Sequence, residues 1–167
     1  INSVSNKLSE KSIGVLATTA TIESSFYKNT INRKASDIKV FQQSCPQFVS
    51  EIEKIPLNIK KISHLADLYL DPLLKNNIKE IILGCSHYPL IYEILREKIP
   101  HSINIIDPSK ALIDNLNKYF IPRDVYDKNN KYNNVEFFAT GNIDGFSLKV
   151  TNWLEINKKI SFINLRT

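Results

Sequence analysis

Along this chain, short unbroken apolar runs take turns with apolar residues at helical spacing. Ile13-Gly14-Val15-Leu16-Ala17-Thr18 is a run of strand length ending in Thr and Ser, and a helix over about 20–32 follows it. Ile38-Lys39-Val40-Phe41 reads as a second strand. Cys45-Pro46 opens a short helical stretch to Glu53, since the fixed φ of proline suits a first helical position. Apolar residues at 62, 65, 66, 68, 69, 70, 73 and 74 predict a helix over 62–74 with a wide buried face, closed by Asn76-Asn77. The clearest strand is 79–84, where Ile81-Ile82-Leu83 is unbroken, as expected of a strand buried on both faces. A helix over 89–98, a strand over 102–106 and a helix from Asp107-Pro108-Ser109 to about 120 come next. Residues 122–134 are rich in Asn, Lys, Asp and Tyr without periodicity and read as a loop. A strand over 135–140, breaks at Gly141 and Gly145, and a helix over 146–154 close the pattern. The order β-α-β-α-α-β-α-β-α-loop-β-α predicts an α/β fold: a parallel sheet with helices on both faces.

Composition narrows the class. With 43% hydrophobic and 23% charged residues, the 167-residue chain is too apolar for a disordered tail and too charged for a membrane protein. A chain of this length buries roughly 70% of its unfolded surface and needs no disulfide or metal staple. No apolar stretch approaches the roughly 18 residues of a spanning helix, so no membrane partner is expected. Ile1 to Lys7 is polar and lacks the apolar core of a signal peptide. The chain contains no Met, and the expectation is that it starts partway through a longer protein. Its net charge of +5 comes mostly from scattered lysines, with arginine only at 33, 96, 123 and 166. Nucleic-acid readers cluster their basic residues and lean on Arg, so no nucleic-acid partner is expected. Cys45 and Cys85 lie 40 residues apart, and no disulfide is expected. Cys45, Cys85, His87 and Glu53 could ligate a metal, but no Cys-x-x-Cys or His-x-x-x-His pair is present, so none is expected.

In open parallel sheets, ligands bind beyond the carboxyl ends of the strands. Three such ends carry polar side chains: Thr18-Thr19-Ala20-Thr21, Gly84-Cys85-Ser86-His87 and Asp107-Pro108-Ser109. Cys85 directly follows a buried strand and precedes a helix, whose free N–H groups favour an anion. Gly84 permits a tight turn, and His87 is placed to take the thiol proton. That makes Cys85 a candidate base or nucleophile. The same spacing also fits a small buried Cys with a polar His at a helix start, and spacing alone leaves both open. Thr18 and Thr21 fit helix caps as well as ligand contacts. Glu53 fits a solvated helix position, Cys45 a buried inert thiol, Asp107 a turn former, and Trp153 with Val150 and Leu154 core packing. His64 and His101 read as surface residues.

Leu83-Gly84-Cys85-Ser86-His87-Tyr88-Pro89-Leu90 closely resembles the second active-site motif of bacterial glutamate racemases, with Ser86 where that family usually carries Thr. Gly14 to Ser24, with Tyr27, resembles the family's motif after its domain crossover. Cys45-Pro46-Gln47-Phe48-Val49 through Glu53 resembles a third motif, and Ile106-Asp107-Pro108-Ser109 a fourth. The likeness weakens after about 120, though Phe138-Ala139-Thr140-Gly141 fits the family's last strand.

The resemblance implies a cofactor-independent racemisation of glutamate by two thiols on opposite faces of the substrate. It implies that Cys85 is the base on the L-glutamate side, with His87 handling its proton. It also implies that Ser86, His87, Thr18 and Thr21 contact substrate and that Glu53 orients His87. The family's other catalytic cysteine sits in a Cys-Asn-Thr-type motif that this sequence lacks, and Cys45 occupies a position that is usually structural. The chain is therefore expected to be the C-terminal portion of such an enzyme, inactive alone. Residues 12–106 would form one complete lobe and 107–156 the segment returning to the other, with 157–167 as a tail. The implied product is D-glutamate for peptidoglycan, and a homodimer is left open. An aspartate or other acidic amino-acid racemase, a truncated product that only binds acidic ligands, and a thiol hydrolase are the competing readings.

Overall fold

The structure is a computed structural model and describes residues 12–119 and 135–165. Four strands form one sheet: β1 (Ser12–Ala17), β2 (Lys39–Ser44), β3 (Glu80–Leu83) and β4 (Asn104–Ile106). Their order is β2-β1-β3-β4, and every pair is parallel. The two central strands are buried along almost their whole length. Burial on both faces is what a parallel sheet requires, and strand alternation shows how it is met. Ile13, Val15 and Ala17 share one face with Ile82, where they pack against Ile31 and Ile38. Gly14 belongs to the other face and lies under Leu73 and Ile78.

The first face is covered by α1 (Thr19–Glu23) and α2 (Phe26–Lys34). The second is covered by α4 (Ile59–Leu74), which buries Ile62, Leu65, Ala66, Tyr69, Leu70 and Leu73 and leaves Leu68 57% exposed. Beside α4 lies α5 (Tyr92–Lys98), tied to it by Lys98 Nζ to Asp67 Oδ1 at 2.6 Å. The short α3 (Phe48–Ile52) packs on α4 through Phe48 and Tyr69, an edge-to-face pair 5.0 Å between centroids. Helix α6 (Pro108–Tyr119) follows β4.

The described residues fall into two compact units, divided between Tyr119 and Phe120. The second holds β5 (Phe137–Ala139), α7 (Ile143–Leu154) and β6 (Ile160–Phe162), with β5 and β6 parallel. Helix α6 lies in the first unit, whereas the sequence reading groups it with the segment that follows.

The expected α/β alternation and parallel sheet are present, and the differences are local. The single helix expected over 20–32 is two, because Ser25 adopts a left-handed φ of 54° between α1 and α2. Helix α4 begins three residues early, since the Asn58 side chain accepts from Lys61 N at 3.0 Å and caps it. Asn142 does the same for α7, which therefore starts before Gly145. The helix expected at 89–98 opens as a 3-10 turn, Tyr88–Ile91. Strand β2 runs on to Ser44, past the expected end at 41. Strand β6 lies in what reads as a tail; three residues are too few for a period to register. Of the residues expected to pack near the end of α7, Val150 is buried, Trp153 partly so, and Leu154 exposed. The loop expected at 122–134 lies outside the described residues.

The two faces of α4 make a direct test. Leu73→Ala should lower stability by about 2–5 kcal/mol, whereas Leu68→Ala should stay within about 0.5 kcal/mol, read from urea midpoints. Equal losses at both positions would contradict the packing.

Candidate active site

The chain leaves β1 for β2 on one side, then crosses to β3 on the other. The sheet therefore has its switch point between β1 and β3, the place beyond which open parallel sheets bind ligands. Thr18 follows β1, and Gly84-Cys85 follows β3. Gly84 N donates to Leu16 O at 2.7 Å, and Cys45 N donates to Ala17 O at 2.9 Å, so three strand ends are drawn together. A Cβ on Gly84 would lie 2.9 Å from Leu16 O, 3.0 Å from Ala17 Cβ and 3.1 Å from Tyr27 Cε2. Close approach, not an unusual φ, is what demands glycine here.

Cys85 is partly buried, and its Sγ lies 3.8 Å from His87 Nδ1. On the other side of the imidazole, His87 Nε2 lies 3.1 Å from Glu53 Oε1. Glu53 sits at the C-terminal cap of α3, and His87 is the residue before the 3-10 turn. With the ring proton on Nε2 donated to Glu53, Nδ1 is left to accept from the thiol. The carboxylate then faces the imidazolium that forms when the thiol gives up its proton. Ser86 is exposed in the turn between them.

Thr18 caps α1, accepting from Thr21 N at 3.4 Å, and the two hydroxyl oxygens lie 2.9 Å apart. Thr19 Oγ1 meets Ser44 Oγ at 2.7 Å across to the end of β2. Hydroxyls thus stand at the end of β1, and the thiol and imidazole stand beyond the end of β3.

A cavity of about 220 Å³ opens beside Cys85, walled by Leu83–Ser86, Tyr27, Asp107–Ser109 and Leu112. Burial, and secondarily negative charge on Cys85, raises the Tyr27 phenol above its ordinary value. Asp107 accepts from Ser109 N at 2.9 Å, as a turn former does. The sequence reading places both in motifs that resemble the family's but gives neither a role in the chemistry; in the structure Asp107 follows β4 and Tyr27 faces Gly84. A wider groove of about 510 Å³ runs along His64, Asp67, Asp71 and Lys98 on the outer side of α4 and α5. It holds none of the strand-end residues and no thiol. Among the described residues, no three His, Cys, Asp or Glu side chains group to hold a metal ion.

Cys45 is the other thiol. It is 1% exposed and contacts Gln43 O at 3.6 Å. Burial is the main cause that pushes its thiol up to about 12. It stays protonated and shielded, as expected of a structural cysteine.

Residues 3–116 match the Asp/Glu/Hydantoin racemase family. The chain is 39% identical over 168 aligned positions to a glutamate racemase of Prochlorococcus marinus (strain NATL1A), covering 99% of the chain and 63% of that relative. Among solved structures, a Bacillus anthracis glutamate racemase superposes with a TM-score of 0.80 at 22% identity, over 98% of the chain and 61% of that structure. The Francisella tularensis glutamate racemase, solved with D-glutamate, gives 0.73 at 28% identity, over 98% of the chain and 60% of that structure. The chain thus spans about three-fifths of the length of the relatives it matches.

The contrast between the two thiols is measurable. Iodoacetamide at pH 8 should label Cys85 and leave Cys45 unlabelled until denaturant is added, as resolved by peptide mass spectrometry. Labelling of Cys45 at a matching rate in the native chain would contradict the burial described.

Proposed function

The chain belongs to the Asp/Glu/Hydantoin racemase family, and we propose that it carries one of the two catalytic thiols of a glutamate racemase. The observation that carries this reading is the line Cys85–His87–Glu53 at the switch point, with Thr18 and Thr21 at the adjoining strand end. Only bonds to hydrogen change: C–H, S–H and the N–H of His87. His87 takes the Cys85 proton, and the thiolate removes the α-proton of L-glutamate. Negative charge passes onto the substrate carboxylate, where hydroxyls of Ser86, Thr18 and Thr21 donate to it. A protonated thiol on the opposite face then returns a proton to the α-carbon. Reversal of both transfers regenerates the L-enantiomer. Nothing is oxidised or reduced in either transfer.

The sequence holds two cysteines, and Cys45 is sealed in the core. The opposing thiol must therefore come from outside this chain, and the chain alone does not racemise. In the lobe division that goes with this reading, residues 12–106 form one lobe and 107–156 contribute to the other. Two features support it. Leu112, Ile113 and Leu116 leave an apolar face of α6 exposed, as a surface awaiting a partner does. Among the described residues β5 and β6 pair as a parallel sheet of two strands, smaller than such sheets are when they stand alone. The role in the cell is supply of D-glutamate for peptidoglycan in the cytoplasm. No helix among the described residues is long and apolar enough to cross a membrane.

The test is α-proton exchange in D2O, followed by NMR, in the protein carrying both thiols. Cys85→Ala should slow exchange by about 10²–10⁴-fold, the range for loss of a positioned acid–base group, with its circular dichroism unchanged. Exchange at the parent rate would refute the role of Cys85. Faster exchange of aspartate than of glutamate would overturn the substrate.

A further inference from the structure

Glu53 and His87 stand on different elements, and their hydrogen bond lies at the surface, with side chains 43% and 33% exposed. Water screens a pair so placed, and it holds its partners only weakly. Something beneath must keep the two segments in register. Phe48 opens α3, five residues before Glu53, and Tyr88 directly follows His87. Both rings are fully buried and meet edge to face, 5.3 Å between centroids at 79°. Phe48 in turn meets Tyr69 of α4, whose hydroxyl accepts from Gln47 N at 3.4 Å. Tyr88 N donates to Cys85 O at 3.2 Å, closing the turn that carries Cys85, Ser86 and His87. The Tyr88 hydroxyl meets no nitrogen or oxygen partner among the described residues and faces the Cys45 thiol. That hydroxyl bonds the Cys45 sulfur, and it is the ring that meets Phe48 beneath the turn. Buried aromatic contact is much the stronger of the two attachments.

We infer that Tyr88 is a positioning residue: its ring, keyed against Phe48, sets His87 at hydrogen-bond distance from Glu53 and so presents the imidazole to Cys85. The inference rests on the proposed reading of Cys85 and His87 as an acid–base pair.

The experiment measures the rate of Cys85 alkylation in the native chain at neutral pH, resolved by peptide, as a double-mutant cycle. With Tyr88 present, Glu53→Gln should slow alkylation about threefold, the size an exposed pair allows. Tyr88→Leu should slow it by a similar factor, and Glu53→Gln should then add nothing, which a general loss of stability would not produce. Tyr88→Phe keeps the ring and should retain both the parent rate and the response to Glu53→Gln. Phe48→Leu, a milder change beneath the turn, should weaken that response as Tyr88→Leu does. A full response to Glu53→Gln in both the Tyr88→Leu and Phe48→Leu backgrounds would overturn the positioning role. So would loss of the folded circular dichroism in both variants, which would make the rings core packing alone. No response to Glu53→Gln even with Tyr88 in place would instead break the Cys85–His87–Glu53 line, and the inference would fall with it.

Discussion

Three parallel strand ends converge at one edge of the sheet, and the approach between two of them leaves no room for a side chain at Gly84. The Gly84 N to Leu16 O hydrogen bond, at 2.7 Å, locks β3 against β1 where both strands stop. Cys85 inherits its position from that contact. It leaves the sheet at the switch point, with the cap of α1 on one side and the turn to His87 on the other. The buried strands supply rigidity, because β1 and β3 are covered on both faces and their ends have little freedom. Polar groups placed on such ends are held more exactly in place than groups on a free loop.

The chemistry draws on two environments for one kind of side chain. Cys45 and Cys85 both follow strands, yet the first is closed over by the core and the second faces a cavity. Burial keeps the Cys45 thiol protonated and out of reach. Cys85 has the imidazole at one side and open space at the other. A reaction that only moves protons asks for this: a thiol within reach of a base, and room for a small acid beside it.

Much of this was legible in the residues. The unbroken Ile81-Ile82-Leu83 run marks a central strand, and a glycine-cysteine step straight after it marks a strand-end site. The alternation of runs and helical spacings carried the parallel topology, because only crossover helices join such strands. What escaped depends on single side chains or on distance along the chain. Asn58 and Asn142 lengthen their helices by caps that a periodicity does not contain. Ser25 breaks a helix through a backbone angle that its residue type does not announce. The pairing of Glu53 with His87 spans 34 residues and two elements; spacing was silent on it, and the resemblance alone pointed there. The Phe48–Tyr88 contact beneath that pair left no signal in the sequence beyond two aromatic residues.

The central claim is that an acidic amino acid binds beside Cys85, where β3 leaves the sheet next to the end of β1. Amide chemical-shift mapping of the labelled chain during titration with L- and then D-glutamate tests it most directly. The account predicts shifts clustered at 18–21 and 84–88, with the Asp67–Lys98 groove unmoved. Shifts confined to that groove, or none at either strand end at saturating glutamate, would contradict it.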